Sequence, residues 1–413
     1  MIIKGIQMKV KICIRKKEWF WMLVAFLSCI PAVFYKNEFL SSKIGYINLL
    51  MLFASAIVFL EYIRFRCYRV HCVSFGLIIC LGFSILLSDF WNGTFNVAYL
   101  YRLARIIMFC SVIIIAYKKN MIRVLIHSWA VYFEFLVIIN VCSQIIFPAG
   151  FAKITYTEWL PIYVIGAANS CIFYYLLTST LICIDSFLNG NKIGFNFAFV
   201  TGIELVSVVL GGSTTALLVI LLYISGTFFL FFPSVTAFLT RHIRAIIIAF
   251  VLFFVTVIVY QSELITGTII GATGEAHSFS ERMFIWAQVT SRIAEHPIIG
   301  YGSLNDAIVY DYKGYFRTAH NCFLQICQMG GVIALTFYLA VFTRSVIKVG
   351  KEYRSANQSY IKKIMGILIF TFICFACVFM VEQNVYFSGF YGICVLSECI
   401  IHELNKEDCR VNE

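Results

Sequence analysis

Charge is scarce in this sequence of 413 residues: only 13% are Asp, Glu, Lys or Arg, while 61% are hydrophobic. A soluble domain carries roughly 25% charged residues, so a water-soluble globule is excluded. Ten-residue segments of strict apolar–polar alternation, which would build a membrane barrel, are missing. Internal repeats and low-complexity tracts are missing too. The loops assigned below to the outer face hold no DxD-like carboxylate pair, so a site built on a divalent cation has no obvious ligands. No CxxC is flanked by His. The sixteen cysteines lie mostly inside apolar runs, as Cys110, Cys142, Cys374 and Cys377 do, where a thiol acts as a small hydrophobe. Cys374 and Cys377 do form a CxxC, but mid-span, without the polar surroundings that a metal site needs.

What is present is a series of apolar runs of about 18–22 residues, the length that crosses a ~30 Å hydrocarbon core. Helices satisfy their own backbone groups in lipid, so the expected class is all-α and polytopic, a single membrane domain over residues 1–413. Twelve spans are expected, at roughly 19–35, 44–63, 70–88, 97–117, 122–147, 164–184, 194–212, 214–232, 245–263, 321–343, 364–382 and 385–402. Only Gly212 and Ser213 separate the seventh from the eighth. The basic start, Lys9 to Lys17, followed by WFWMLVAFLSCIPA, resembles a secretion signal, but its apolar run is long and no clean cleavage site follows. A retained first span is expected.

The net charge of +11 raises the possibility of a nucleic-acid partner. The positions of the basic residues argue against it. Most lie in short loops on one face, among them Arg64, Arg66, Arg69, Lys118, Lys119, Arg241, Arg344, Lys348, Lys362 and Lys363. There they set membrane orientation, with both termini inside.

One connection breaks the pattern of short links. Residues 264–320, between the ninth and tenth spans, form a long loop on the outer face, and such loops are usually functional. Within it, SFSERMFIWAQVTSRIAEHP reads as an amphipathic helix. Ser278 and Glu281 have capping-box spacing, and Pro297 ends it. Arg282 falls on the same face as Trp286, Val289 and Ile293. A charge on that face is directed at something anionic, unless its stem only snorkels along lipid.

The loop closes on TAHNCFLQ, residues 318–325, at the mouth of the tenth span. An imidazole there can accept a proton from a hydroxyl near neutral pH; the plainer reading is that His320 and Asn321 only start the helix. Arg102 and Arg105 lie in the outer half of the fourth span. An intramembrane Arg costs about 2.5–3.5 kcal/mol on insertion scales and is usually paired or functional. Arg105 lies at a depth similar to Glu204, which makes a buried ion pair the plainer alternative, whereas Arg102 is shallower and better placed for a ligand. Arg317, Asp306 and Asp311 in the loop either contact substrate or are solvated. Glu134 and Glu398 are further intramembrane acids, at depths that form no evident relay. The glycines at 300, 302, 330 and 331 allow turns and close helix packing and are not phosphate loops, since no strand precedes a helix there.

RMFIWAQVTSRIAEHPIIGYG and TAHNCFLQICQMGGVIALTFYLAVF together resemble the O-antigen ligase and O-antigen polymerase superfamily. The features are Arg282 with Trp286, His296 through Gly302, His320 through Gln325, and Gly330 with Gly331, in that order. The specific match covers about 60 residues, and the spans with the long outer loop extend it over most of the chain. The resemblance implies a fold similar to polytopic glycosyltransferases that use lipid-linked sugars, in the bacterial cytoplasmic membrane. It implies transfer of a glycan from undecaprenyl pyrophosphate to an acceptor glycan hydroxyl, with no metal or other cofactor. Loop 264–320 would be the catalytic loop, His320 the base or orienting group, and Arg282 the pyrophosphate ligand. A chain-length regulator and a flippase are implied partners, alongside the bilayer. The chain departs from the family pattern at LGGSTTALLV, where Ser213–Thr214 stands in place of the usual Ser-Arg. Arg102, Arg105 or Arg317 would supply the second cation, Arg102 first, with Asn321 helping to bind substrate.

The leading expectation is a polymerase of lipid-linked repeat units for capsule, exopolysaccharide or O-antigen. A ligase that transfers glycan to lipid A core or protein is the alternative. A transporter or flippase is a third, favoured only if polar residues lined a mid-membrane path in repeated halves.

Overall fold

A computed structural model describes residues 16–154, 157–190, 193–230, 232–259, 276–305, 309–310 and 316–411. The apolar runs become helices, as lipid requires of them. Among the described residues, seven are long and apolar enough to cross a membrane: α4 (Ile44–Arg64), α5 (Val73–Trp91), α6 (Val97–Lys118), α7 (Ile122–Ile146), α8 (Ala168–Leu188), α14 (Cys322–Ser355) and α15 (Ser359–Val381). The pair α10 (Thr214–Phe229) and α11 (Pro233–Arg241), bent by 112°, makes an eighth if it is counted as one span.

The twelve expected spans therefore differ in several places, for local reasons. The first is broken near Pro31 into α1 (Lys16–Ser28) and the one-turn helix α2 (Val33–Lys36), and a second one-turn helix, α3 (Glu38–Ser41), follows it. The seventh shortens to α9 (Phe195–Gly211), ended by Gly212 in the left-handed region at φ +65°, a conformation glycine adopts without steric cost. Pro233 sits in the first turn of α11, where its missing N–H is harmless, so a new helix starts there. The ninth is a short helix, α12 (Ile243–Phe253), running into a wider π turn at Phe254–Val259. The twelfth run lies in the first half of α16 (Ser388–Val411).

Two short antiparallel hairpins add to the helical class: β1 (Ala152–Ile154) with β2 (Thr157–Ile162), and β3 (Val309–Tyr310) with β4 (Phe316–Arg317). In the long loop, residues 260–275, Asp306 and Asp311 lie outside the described residues. The loop helix α13 spans Ala276–Glu295. It begins at Ala276, two residues before Ser278. Its apolar face is as expected: Trp286 and Val289 are buried as α13 packs on α14.

Helix α14 is broken at Gly331, whose backbone is non-helical at φ +65°. A break inside a helix orphans backbone groups that need partners. The Pro297–Ser303 segment supplies them. Tyr301 N donates to the Gln328 carbonyl and Gly302 N to that of Met329, both at 2.8 Å, while Val332 N donates to the Pro297 carbonyl. Gly331 is required for this, because a β-carbon there would stand 2.0 Å from the Ile298 carbonyl oxygen. The segment is also tied to α5. Buried Asp89 accepts from Ser303 N at 2.6 Å and Ser303 Oγ at 2.7 Å, and Asn92 Nδ2 donates to the Gly300 carbonyl. The His-Pro-x-x-Gly-x-Gly run is therefore a clamp that docks the loop onto the membrane helices.

Polar side chains join the helices elsewhere, as in other membrane bundles. Asn140 of α7 donates to Tyr175 of α8 at 3.1 Å and accepts from Ile165 N, and Gln144 and Ser207 bond each other across α7 and α9.

Candidate functional site

His320 sits between two tightly held neighbours. On one side, the Ala319 carbonyl accepts from Trp286 Nε1 at 3.0 Å and Ala319 N donates to Gln325 Oε1 at 2.9 Å. On the other, Asn321 caps α14, its Oδ1 accepting from Leu324 N at 2.9 Å, the usual N-cap bond, while its Nδ2 donates to the Met380 carbonyl at 2.7 Å. Between them His320 adopts φ +45°. A non-glycine residue there costs on the order of 1–3 kcal/mol and persists only where its surroundings over-determine it. The order of Trp286, His320, Asn321 and Gln325 in the sequence thus has a physical reading: three residues aim the fourth. Asn321, expected among the substrate-binding residues, is fully buried with both ends of its amide engaged. Its role here is to hold the turn.

The imidazole and Arg282 converge on a residue that sequence reading overlooked. Glu382, just past the end of α15, accepts from Arg282 Nη2 at 2.7 Å through Oε1. Its Oε2 lies 4.0 Å from His320 Nδ1, a charge contact rather than a hydrogen bond. Asn169, in the first turn of α8, donates to Oε1 at 2.8 Å, and the Ser213 hydroxyl that caps α10 donates to Asn169 Oδ1. Burial pushes the Glu382 carboxyl up, but His320, Arg282 and Asn169 outweigh it and hold its pKa below the ordinary carboxylate value. The carboxylate is thus kept charged, and it ties α8, α13, α14 and α15 together at one end of the bundle. One signal was present in the sequence: an acid closing an apolar span at the same end as His320.

The other expected cations fall at different distances from this cluster. Arg102 stacks over the Tyr386 ring at 4.4 Å, four residues beyond Glu382, a cation–π contact. Arg105 donates to Asn48 Oδ1 at 2.6 Å and lies 5.4 Å from the Tyr35 ring centre. The expected alternative, an Arg105–Glu204 pair, does not form: Glu204 is fully buried in α9 and accepts instead from Ser179 at 2.7 Å. Arg317, in β4, stands 4.0 Å from Glu281 of α13. Thr214, where an Arg was expected, opens α10 directly after Ser213, so that position is near the cluster even though its residue carries no charge.

Residues 197–339 match the family model described as O-antigen ligase. This stretch of the chain is similar to the O-antigen ligase family. It includes α13, Arg282, the Gly-rich clamp and His320, while Asn169, Arg102, Arg105 and Glu382 lie outside it. No curated protein matches the chain. The O-antigen ligase match and the apolar helices together support an integral membrane protein with a ligase- or polymerase-type activity, and lipid-linked glycan substrates fit that family.

Beside the cluster runs an apolar cleft of about 270 Å³ between α12, α14 and α15. Phe250, Leu339 and Phe372 line it, and it reaches Phe323 and Met380, which flank Asn321 and Glu382 in the chain. The intramembrane acids do not form a relay. Glu134 accepts from Asn196 at 3.2 Å, Glu204 bonds Ser179, and Glu398 bonds Arg344 and Ser74.

Proposed function

We propose that this protein polymerises lipid-linked oligosaccharide repeat units on the outer face of the bacterial cytoplasmic membrane. The observation that carries this reading is the Glu382 carboxylate held between His320 and Arg282, with His320 in a strained turn inside the O-antigen ligase domain. The acceptor hydroxyl oxygen attacks the anomeric carbon of the donor. The bond from that carbon to the pyrophosphate breaks, and the pyrophosphate leaves with the electron pair. His320 Nε2 takes the hydroxyl proton while Glu382 orients the ring through Nδ1, an arrangement worth roughly 10²–10⁴-fold. Arg282, with donors beyond the one spent on Glu382, holds the leaving oxygens, since guanidinium forks match phosphate geometry. Arg102 is the second cation in this reading, replacing the Arg absent at Thr214, with Arg317 and Arg105 farther from the reacting groups.

The apolar cleft that ends at Phe323 and Met380 supports a donor carried on a long hydrocarbon chain, undecaprenyl pyrophosphate. Loop 264–320 acts as the catalytic loop, and both termini lie inside. A chain-length regulator and a flippase would act on the same glycan before and during polymerisation. The family description favours a second reading, transfer of a finished glycan to lipid A core or protein.

The two readings are separated by product. Purified protein incubated with lipid-linked repeat units yields a ladder of glycans if it polymerises, and single transfers to an added core acceptor if it ligates. Loss of either product in Arg282→Gln, with the protein still folded, supports the assigned site. An unchanged ladder in that variant sinks it.

A further inference from the structure

We propose that Cys72 and Cys399 form a redox modification site, at which a peroxide joins the two thiols as a disulfide at the end of the bundle opposite His320. The site does not depend on the transfer reading. Cys72 stands just before the first residue of α5, and Cys399 lies in α16, so more than 300 residues of chain separate them.

The neighbours of both cysteines fix their approach. Ser74, two residues after Cys72, donates from Oγ to Glu398 at 3.1 Å. Glu398 is the residue before Cys399, and Arg344 Nε of α14 holds it from the other side at 3.1 Å. The start of α5 and the middle of α16 are thereby fastened side by side, and the two thiols meet side chain to side chain. The Cys72 sulfur is not committed elsewhere as a helix cap, since no side-chain bond caps α5.

The two cysteines are unequal in a way that suits a two-step oxidation. Cys72 is half-buried, beside exposed Arg69 and His71, so a small reagent reaches it from water. Cys399 is 1% exposed and faces its partner from inside the bundle. An accessible thiol next to a resolving one is the usual arrangement of a redox-sensing pair. Cys67, Cys110 and Cys394 stand nearby, but all three are fully buried. Among the described residues no three such side chains converge as metal ligands would, so the chemistry open to this group is the joining of two sulfurs.

The Cys72 thiolate attacks one oxygen of hydrogen peroxide. The O–O bond breaks, and the departing hydroxide takes up a proton to leave as water. The Cys399 sulfur then attacks the sulfenic acid on Cys72, the S–O bond breaks, and a second water leaves. Two thiols have given two electrons and two protons to one peroxide. The product pins the start of α5 to α16. Asp89, which anchors the Gly-rich clamp, is on the same helix seventeen residues on, about 26 Å away. A cross-link that closes so long a loop restricts the unfolded chain strongly, so the oxidised protein is the more resistant to heat.

The test uses the full chain in nanodiscs, with hydrogen peroxide as oxidant. Remaining thiols are blocked with N-ethylmaleimide, and digests are read by mass spectrometry with and without dithiothreitol. The expected product is a peptide pair linking residues 72 and 399, with two of the sixteen thiols lost and both recovered on reduction. The thermal midpoint rises by a few degrees on oxidation and returns on reduction. Cys399→Ser stops at the sulfenic acid on Cys72, which dimedone traps, and Cys67→Ser leaves the link unchanged. The proposal is overturned if wild type gives no 72–399 link, if Cys72 joins a different cysteine, or if the oxidised and reduced proteins melt together.

Discussion

Two buried carboxylates stand at opposite ends of this bundle, each paired with an arginine, and only one sits in a candidate site. Glu398 in α16 is fully buried and accepts from Arg344 at 3.1 Å and from Ser74 Oγ at 3.1 Å, with Lys348 at 3.9 Å. All of its partners lie on regular membrane helices or their first turns. Glu382 has the same chemistry, but two of its partners, Arg282 and His320, come from the long loop, and one of these is held at positive φ and remains a third exposed. The pair on regular helices acts as a fastener. The pair that includes a strained, accessible imidazole can meet a substrate. The difference lies in where the partners come from, not in the acid.

The contrast can be broken most sharply at His320. Replacing it with Ala should cut glycan transfer by roughly 10²–10⁴-fold while the thermal midpoint of the purified protein stays put; a matched loss of folding would make His320 a fastener too. Next in size is Arg344→Ala. It leaves Glu398 buried with Ser74 and the more distant Lys348, and removal of one partner of a buried pair is costly. A loss of about 3 kcal/mol in unfolding experiments is expected, with transfer per folded molecule preserved.

Glu382→Gln keeps the shape of the side chain and removes its charge. Transfer should fall about tenfold, with a stability loss of about 1–2 kcal/mol, since the lost bond to Arg282 is charge-assisted. Equal transfer in this variant and wild type would remove Glu382 from the site. The smallest effect is expected from acid. The folded pKa of Glu382 is below its ordinary value, so its contribution is present above the usual carboxylate range and is lost as pH falls through the lowered value. Wild type should therefore lose more stability than Glu382→Gln between about pH 5 and pH 3, and parallel curves would count against the cluster.

Much of the local structure was legible because its causes are local. Trp286 and Val289 recur at helical spacing and are buried together, and Asn321 caps the helix that follows it. The runs at 44–64, 97–118 and 122–146 became helices within a residue or two of expectation. Other features depend on partners far away in the chain. Nothing near residue 297 indicates that the Gly-rich segment would bond to carbonyls freed by a break at Gly331, or to Asp89 more than 200 residues earlier. Arg105 and Glu204 matched in depth, but depth along two helices does not say whether the helices are neighbours. Hydropathy registers apolarity and not the breaks near Pro31, Gly212 and Pro233, so those helix ends were not legible from it.

By itself, then, the sequence determined that this chain is a helical membrane protein, that one loop is exceptional, and that His320 and Arg282 are its notable residues. Periodicity, charge scarcity and cap chemistry act over a few residues, so they can be read along the chain. Only the tertiary structure decided that Glu382 joins those two residues, that Asn321 serves the turn, and that Arg105 binds Asn48. Each of those outcomes depends on which helix ends meet, and that is set by packing over the whole bundle.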